Sequence, residues 1–278
     1  MLPVTAKRIL IATPTRGTPD GAPVSLGWSE AVRRLSRHPD IDISVVGFSC
    51  DLVRARSRLV RLVLEAGGYH AVLWWDDDVV PRDLAIIDRM LATGHDLVAA
   101  PYPQKLVYWD AAGEMARDGH SPEWGAYKYP LYRDPARGGP EVHNACVDVD
   151  HIGMGFMLTS TAMLTKLWDA YAPTLSFGDV TQGKKSHTVA MFQLILPPQS
   201  PTPPYADGNL LSEDYSFCTR ASEQGYTPHL FLGEGSPVDH VGGHVFRGHR
   251  EGINGSGLRA TPPPVPGRAL NPDGTLAE

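Results

Sequence analysis

The chain has 278 residues, 42% hydrophobic and 20% charged, enough apolar material for one sizeable core and too much for a disordered bulk. Its formal net charge of -6 disfavours non-specific nucleic-acid binding, and an anionic substrate would need a metal ion or local arginines. The three cysteines, Cys50, Cys146 and Cys218, are odd in number, far apart and in no C-x-x-C pair, which indicates neither a disulfide framework nor a zinc site; they read as small buried hydrophobes in a reducing compartment.

The first apolar run, Ile9 to Ala12, is too short for a signal peptide, and no stretch approaches the ~20 apolar residues of a membrane helix. A soluble, cytoplasmic protein without a membrane segment is expected. Arg8 to Thr13 reads as a buried strand, Ser25 to His38 as a helix and Ile41 to Phe48 as a second strand. Asp51 stands where a helix cap belongs, the run to Glu65 is helical, and Gly67-Gly68 is its stop. His70 to Trp75 is a third strand. Pro81 suits the first turn of a helix ending near Gly94, and Asp96 to Ala100 is a fourth strand. This alternation with short joints predicts an α/β domain, a mostly parallel sheet with helices on both faces, binding ligands at the carboxyl ends of its strands.

The second half is less regular. Residues 103–140 read as an irregular excursion, Val147 to Leu158 as a strand with Gly153 and Gly155 inside it, and Thr159 to Ala170 as a helix. Pro173 to Asn209 reads as a long loop, and Ser212 to Gln224 as a helix stopped by Gly225. One domain over residues 1–250 and a Gly- and Pro-rich, poorly ordered tail over 251–278 is the simplest organisation.

Asp76-Asp77-Asp78 follow the apolar Val72-Leu73-Trp74-Trp75. Adjacent carboxylates repel and call for a cation. In an extended segment Asp76 and Asp78 share one side and Asp77 turns the other way. Carboxylate oxygens suit magnesium or manganese; capping of the following helix is the plainer alternative. Upstream, Arg54, Arg58 and Arg61 fall on the solvated face of their helix, while Arg56 borders the apolar stripe and needs an anionic partner, either a ligand or a core-edge carboxylate. After the first strand come Thr13, Pro14 and Arg16, with no Gly-rich phosphate loop among them. Gly153 and Gly155 mark either close approach of a ligand or a bulge. Glu213 and Asp214 open a helix, where acids complement the dipole or one serves as a general base. His240 and His244 flank Gly242-Gly243, which argues against a zinc helix.

In this order the passages resemble the GT-A-fold glycosyltransferases of the family-2-like and mannan-polymerase-like kind. The carrying segments are Ala55-Arg56-Ser57, Leu73 to Pro81, Gly153-Met154-Gly155-Phe156, the Glu-Asp-x-x-Phe-x-x-Arg pattern from Glu213 to Arg220, and Val238-Asp239-His240-Val241-Gly242. Ser57 replaces the asparagine usual in those enzymes. The resemblance implies a single GT-A-like (Rossmann-like) domain that moves a sugar, with inversion preferred, from a UDP- or GDP-sugar to an acceptor hydroxyl. It implies a Mn2+ (or Mg2+) ion held by Asp76, Asp78 and His240 or His244. It places Thr13, Pro14, Arg16, Arg56, Asp76, Asp77 and Gly155 on the donor, and makes Asp214 the catalytic base with Glu213 as acceptor binder or alternative base. The acceptor stays open among a glycan, a protein, a small molecule and a modified nucleic-acid base. A sugar-phosphate nucleotidyltransferase, a non-catalytic nucleotide-sugar or glycan-binding module and a metal hydrolase are the competing classes; the first would need the missing Gly-rich loop.

Overall fold

A computed structural model describes residues 8–15, 25–47, 51–181, 184–196, 210–242, 245–249 and 253. Its first half alternates as the periodicity predicts: β1 Arg8–Thr15, α1 Leu26–Leu35, β2 Ile41–Gly47, α2 Leu52–Ala66, β3 Tyr69–Trp75, β4 Val79–Val80, α3 Ile86–Ala92 and β5 Leu97–Ala99. The helix starts carry the expected chemistry. Ser25 Oγ accepts from the Trp28 N–H at 3.1 Å, and Asp51 Oδ1 from the Arg54 N–H at 2.9 Å, each satisfying an orphan donor. At the end of α2, Gly67 adopts φ 64°, which favours glycine.

The second half runs α4 Trp109–Arg117, α5 Glu123–Ala126, β6 Leu131–Tyr132, β7 Cys146–Asp148, β8 His151–Ile152, β9 Phe156–Ser160, α6 Thr161–Leu175, β10 Ser176–Thr181, β11 Lys184–Val189, α7 Glu213–Glu223, β12 His229–Phe231, β13 Asp239–Val241 and β14 Val245–Phe246. Across the chain the structure departs from the sequence reading in five places. Pro81 precedes a turn, and α3 starts only at Ile86. The single strand expected over 147–158 is three strands in two different sheets. Two helices interrupt the excursion. The helix expected to end near Ala170 continues through Pro173 to Leu175, and an antiparallel hairpin, β10–β11, follows where a loop was expected. The tail over 251–278, Ile253 apart, lies outside the described residues, as do Cys50 and 197–209.

The central sheet has the order β2-β1-β3-β9-β5-β12-β7. Five of its strands run one way; β9 and β7 are antiparallel to their neighbours. Side-chain alternation feeds two cores on opposite faces. Leu10, Ala12, Val72 and Trp74 pack with Leu59 and Val63 of α2 and with Leu164 of α6. Ile9, Ile11, Leu73 and Trp75 pack with Trp28 of α1 and with Ile86 and Met90 of α3. The result is a mixed α/β, Rossmann-like arrangement, and none of its described helices is long and apolar enough to cross a membrane.

From β1 the chain moves to β2 on one side and then to β3 on the other. The carboxyl ends of β1 and β3 therefore flank a point where strand order reverses, the place where open α/β sheets form a ligand crevice. The acidic triplet leaves β3 at that point.

Candidate functional site

The turn after β3 is pinned from every side. The Asp76 N–H donates to the Gly155 carbonyl at 3.0 Å, the Val79 N–H to the Asp76 carbonyl at 3.1 Å and the Val241 N–H to the Asp78 carbonyl at 2.7 Å. Trp75, fully buried, donates its indole N–H to the Val79 carbonyl at 2.7 Å. β4 then pairs with β13, and β13 with β14, in a small separate sheet. The triplet and His240 therefore stand on hydrogen-bonded neighbours.

The three carboxylates take three different partners. Asp76 receives Arg56 Nη2 at 3.1 and 3.3 Å on its two oxygens. Asp77 Oδ2 accepts from the Thr15 hydroxyl at 2.6 Å, across the crevice between β1 and β3. Asp78 Oδ2 meets Lys105 Nζ at 2.5 Å, and its Oδ1 lies 3.4 Å from His240 Nε2. An extended segment would put Asp76 and Asp78 on one side, as expected from the sequence, but the chain turns at 77–78 instead of continuing extended, and Asp76 faces Arg56 while Asp78 faces Lys105 and His240.

Arg56 is 2% exposed and its other terminal nitrogen, Nη1, reaches Glu213 Oε1 at 2.9 Å. Its burial disfavours the charged guanidinium, but Asp76, Glu213 and Asp214 outweigh that and hold its pKa above the usual arginine value. For Asp76 the balance is opposite: desolvation raises its pKa despite Arg56. Asp214 Oδ1 accepts from the Tyr215 N–H at 2.9 Å and from the Ser212 hydroxyl. Arg220, the end of the Glu-Asp pattern, donates to the Met191 and Gln193 carbonyls and braces that loop.

The segment joining β5 to α4 was not singled out in the sequence, yet three of its residues make four contacts here. Tyr102, buried, accepts the Gly155 N–H on its phenol oxygen at 3.1 Å. Its ring meets the His240 ring edge-on at 5.2 Å. The Pro103 carbonyl lies 2.8 Å from His240 Nδ1, and Lys105 reaches Asp78. Tyr102 also explains the two glycines. A Cβ on Gly155 would stand 2.8 Å from Tyr102 Cζ, and one on Gly153 would stand 2.7 Å from Pro130 Cγ as well as against the phenol. The group that approaches them is neither a ligand nor another backbone but the side chain of Tyr102, with Pro130 beside Gly153.

A carbonyl only accepts, so the Pro103 contact assigns the proton of His240 to Nδ1. Nε2 then points at the Asp78 carboxylate and either carries a second proton or offers its lone pair to a cation. A ligating histidine fixed through its other nitrogen by a carbonyl is the usual support of a metal site. Burial would raise the Asp78 pKa, but His240 and Lys105 overcome it and take it down to about 2, so the carboxylate stays ionised. Among the described residues no three His, Cys, Asp or Glu side chains are gathered to hold a metal ion. The residues that could contribute to one are Asp78 and His240, whose Oδ1 and Nε2 lie 3.4 Å apart.

Of the remaining candidates, Thr13 and Pro14 are buried in β1, and Thr13 Oγ1 has no hydrogen-bond partner among the described residues. Arg16 and His244 lie outside the described residues. Of the arginines expected to be solvated, Arg54 is, but Arg58 pairs with the buried Asp179 of β10, and Arg61 is itself buried. The β10–β11 hairpin covers that flank of α2.

No protein-family model and no curated protein matches the chain. Among solved structures 47 chains match. One, described as the crystal structure of A197 from STIV, shares 15% identity and a TM-score of 0.47 over 84% of this chain and 85% of that one. A likeness at that level carries no argument about activity.

Proposed function

We propose that this chain is a glycosyltransferase that moves a sugar from a nucleotide-diphosphate donor to an acceptor hydroxyl. The observation that carries the reading is the guanidinium of Arg56, which joins Asp76 at the end of β3 to Glu213 at the start of α7. Motifs 20 and 157 residues apart thereby meet in one cluster beside the crevice between β1 and β3. A cluster of ionised groups at a topological switch point suits an anionic, polar ligand.

The roles follow from position. Asp77 with Thr15 lines the β1 side of the crevice, where the nucleoside of the donor would lie. Arg56 orients Asp76 and Glu213 towards each other. Asp214 accepts the proton of the attacking hydroxyl; its described contacts fall on Oδ1, which leaves Oδ2 to take that proton. Glu213, engaged by Arg56, is the poorer base and orients the acceptor. Asp78 and His240 would hold a divalent ion, manganese or magnesium, whose chemistry is to neutralise the leaving nucleoside diphosphate. Gly155 supports the sugar pocket through its backbone, its N–H on Tyr102 and its carbonyl on Asp76.

A thermal-shift screen of UDP, GDP and their sugars with Mn2+ or Mg2+, followed by donor turnover, tests this reading. Stabilisation by at least one nucleotide in the presence of metal is expected. No stabilisation and no turnover across the panel would rule it out.

A further inference from the structure

Lys105 has an unusual seat. Its ammonium is 2.5 Å from Asp78 Oδ2, on the one carboxylate of the triplet that also faces an imidazole nitrogen. Its stem lies along Gly242, where an added Cβ would stand 3.3 Å from Lys105 Cδ and 3.6 Å from Cε. The glycine at 242 leaves the stem room to lie close against the backbone. The backbone on both sides is held: the Gln104 N–H donates to the Lys128 carbonyl at 2.7 Å and the Tyr108 N–H to the Ala126 carbonyl at 2.8 Å. The head itself is only partly buried, with 35% of the side chain exposed. A compact ammonium on a flexible four-carbon stem, based on a fixed backbone, can exchange one anionic partner for another nearby.

Resting on the donor reading above, we infer that Lys105 and a divalent cation exchange on Asp78. The ammonium is the resident counter-ion of the carboxylate until a divalent ion takes it. Lys105 then turns to the donor diphosphate, where an added positive charge stabilises the leaving group. Two charges opposed to one carboxylate repel each other, so the lysine weakens metal binding in the absence of nucleotide. With nucleotide bound, it strengthens the ternary complex. Metal and donor are thereby loaded together.

Isothermal titration of the full-length protein with MnCl2 alone, and with UDP and GDP at saturating Mn2+, reads both arms. In Lys105→Met, Mn2+ alone binds about two- to five-fold tighter, the size of a partly exposed ion pair removed. The nucleotide binds about ten-fold weaker or more, the size of a lost charged contact. Lys105→Arg, which keeps the charge, restores most of the nucleotide affinity and the weaker metal binding. A lysine that served only to hold the fold would move both affinities down together. Parallel weakening, an unchanged Mn2+ affinity or an unchanged nucleotide affinity in Lys105→Met overturns the exchange. Failure of the unaltered protein to bind any nucleotide overturns the donor reading and the exchange with it. Nucleotide binding that is intact but indifferent to residue 105 overturns the exchange alone.

Discussion

Arg56 Nη1 stands 2.9 Å from Glu213 Oε1, across 157 residues of chain, and Nη2 of the same guanidinium holds both oxygens of Asp76. The arginine is almost fully buried and both acids are mostly so, with 27% and 22% of their side chains exposed. Removing one member of a buried ionic cluster leaves uncompensated charge. Arg56→Met should therefore cost about 3–5 kcal/mol, measured by urea denaturation, besides abolishing nucleotide binding. Loss of binding with unchanged stability would show that the cluster contributes nothing to the fold.

The two neighbouring acids of α7 should separate in their effects. Asp214→Asn keeps the side chain's shape and an oxygen for the Tyr215 N–H and is expected to lower turnover about 10²- to 10⁴-fold with donor affinity unchanged. Glu213→Gln, which loosens Arg56, should lower stability as well. Equal kinetic losses without a stability difference would remove the distinction drawn between them.

Asp78→Ala should abolish Mn2+-dependent nucleotide binding and turnover. Its partners Lys105 and His240 are partly exposed, and pairs of that kind contribute only ~0–1 kcal/mol. The melting temperature is expected to stay within a few degrees. Retained metal-dependent activity would remove Asp78 from the metal.

Tyr102 occupies the room left by Gly155. Gly155→Ala should destabilise by about 1–3 kcal/mol through overpacking, and the penalty should shrink when Tyr102 is also cut to alanine. A double-mutant cycle in guanidinium chloride measures that coupling; strict additivity would show that the two do not compete for space.

His151 lies buried against Tyr215, ring centroids 4.9 Å apart, with Nε2 on the Thr219 hydroxyl. Desolvation lowers its pKa from 6.5 to about 4. The unfolded chain thus binds a proton that the folded chain resists. The stabilising contribution is complete above pH 6.5 and is lost as pH falls towards 4, by up to roughly 3 kcal/mol. His151→Phe, which keeps a ring on Tyr215, should flatten the slope of stability between pH 7 and pH 4.5. An identical slope in both proteins would place the acid sensitivity elsewhere.

What was legible in the sequence were features with a strong local signature. The buried strands, the Asp51 cap, the Gly67 stop and the amphipathic stripe of α2 turn Arg56 towards the body of the domain, where it is buried more fully than the stripe alone suggested. The stripe could not distinguish its two candidate partners, because Asp76 and Glu213 come to it through the sheet. The same helix misled for Arg58 and Arg61: periodicity assigns a face to solvent unless something covers it, and the covering hairpin β10–β11 has weak alternation and sits among prolines. Tyr102 and Lys105 went unnoticed for a related reason. Neither belongs to a periodic element, and Pro101-Tyr102-Pro103-Gln104-Lys105 carries no pattern until β13 is laid beside it. The glycines of 153–155 signalled a close approach, but not which group approached.

That five-residue segment acts as a ruler. The ring of Tyr102, the carbonyl of Pro103 and the ammonium of Lys105 are spaced along one stretch of backbone, so their separations are set by chain length rather than by three independent packing events. Single substitutions there can be absorbed one contact at a time. An insertion or deletion of one residue cannot, since it moves His240's tether and Asp78's counter-ion out of step with Tyr102 at a stroke. The length of this connection is therefore a tighter constraint on the site than the identity of any one residue within it.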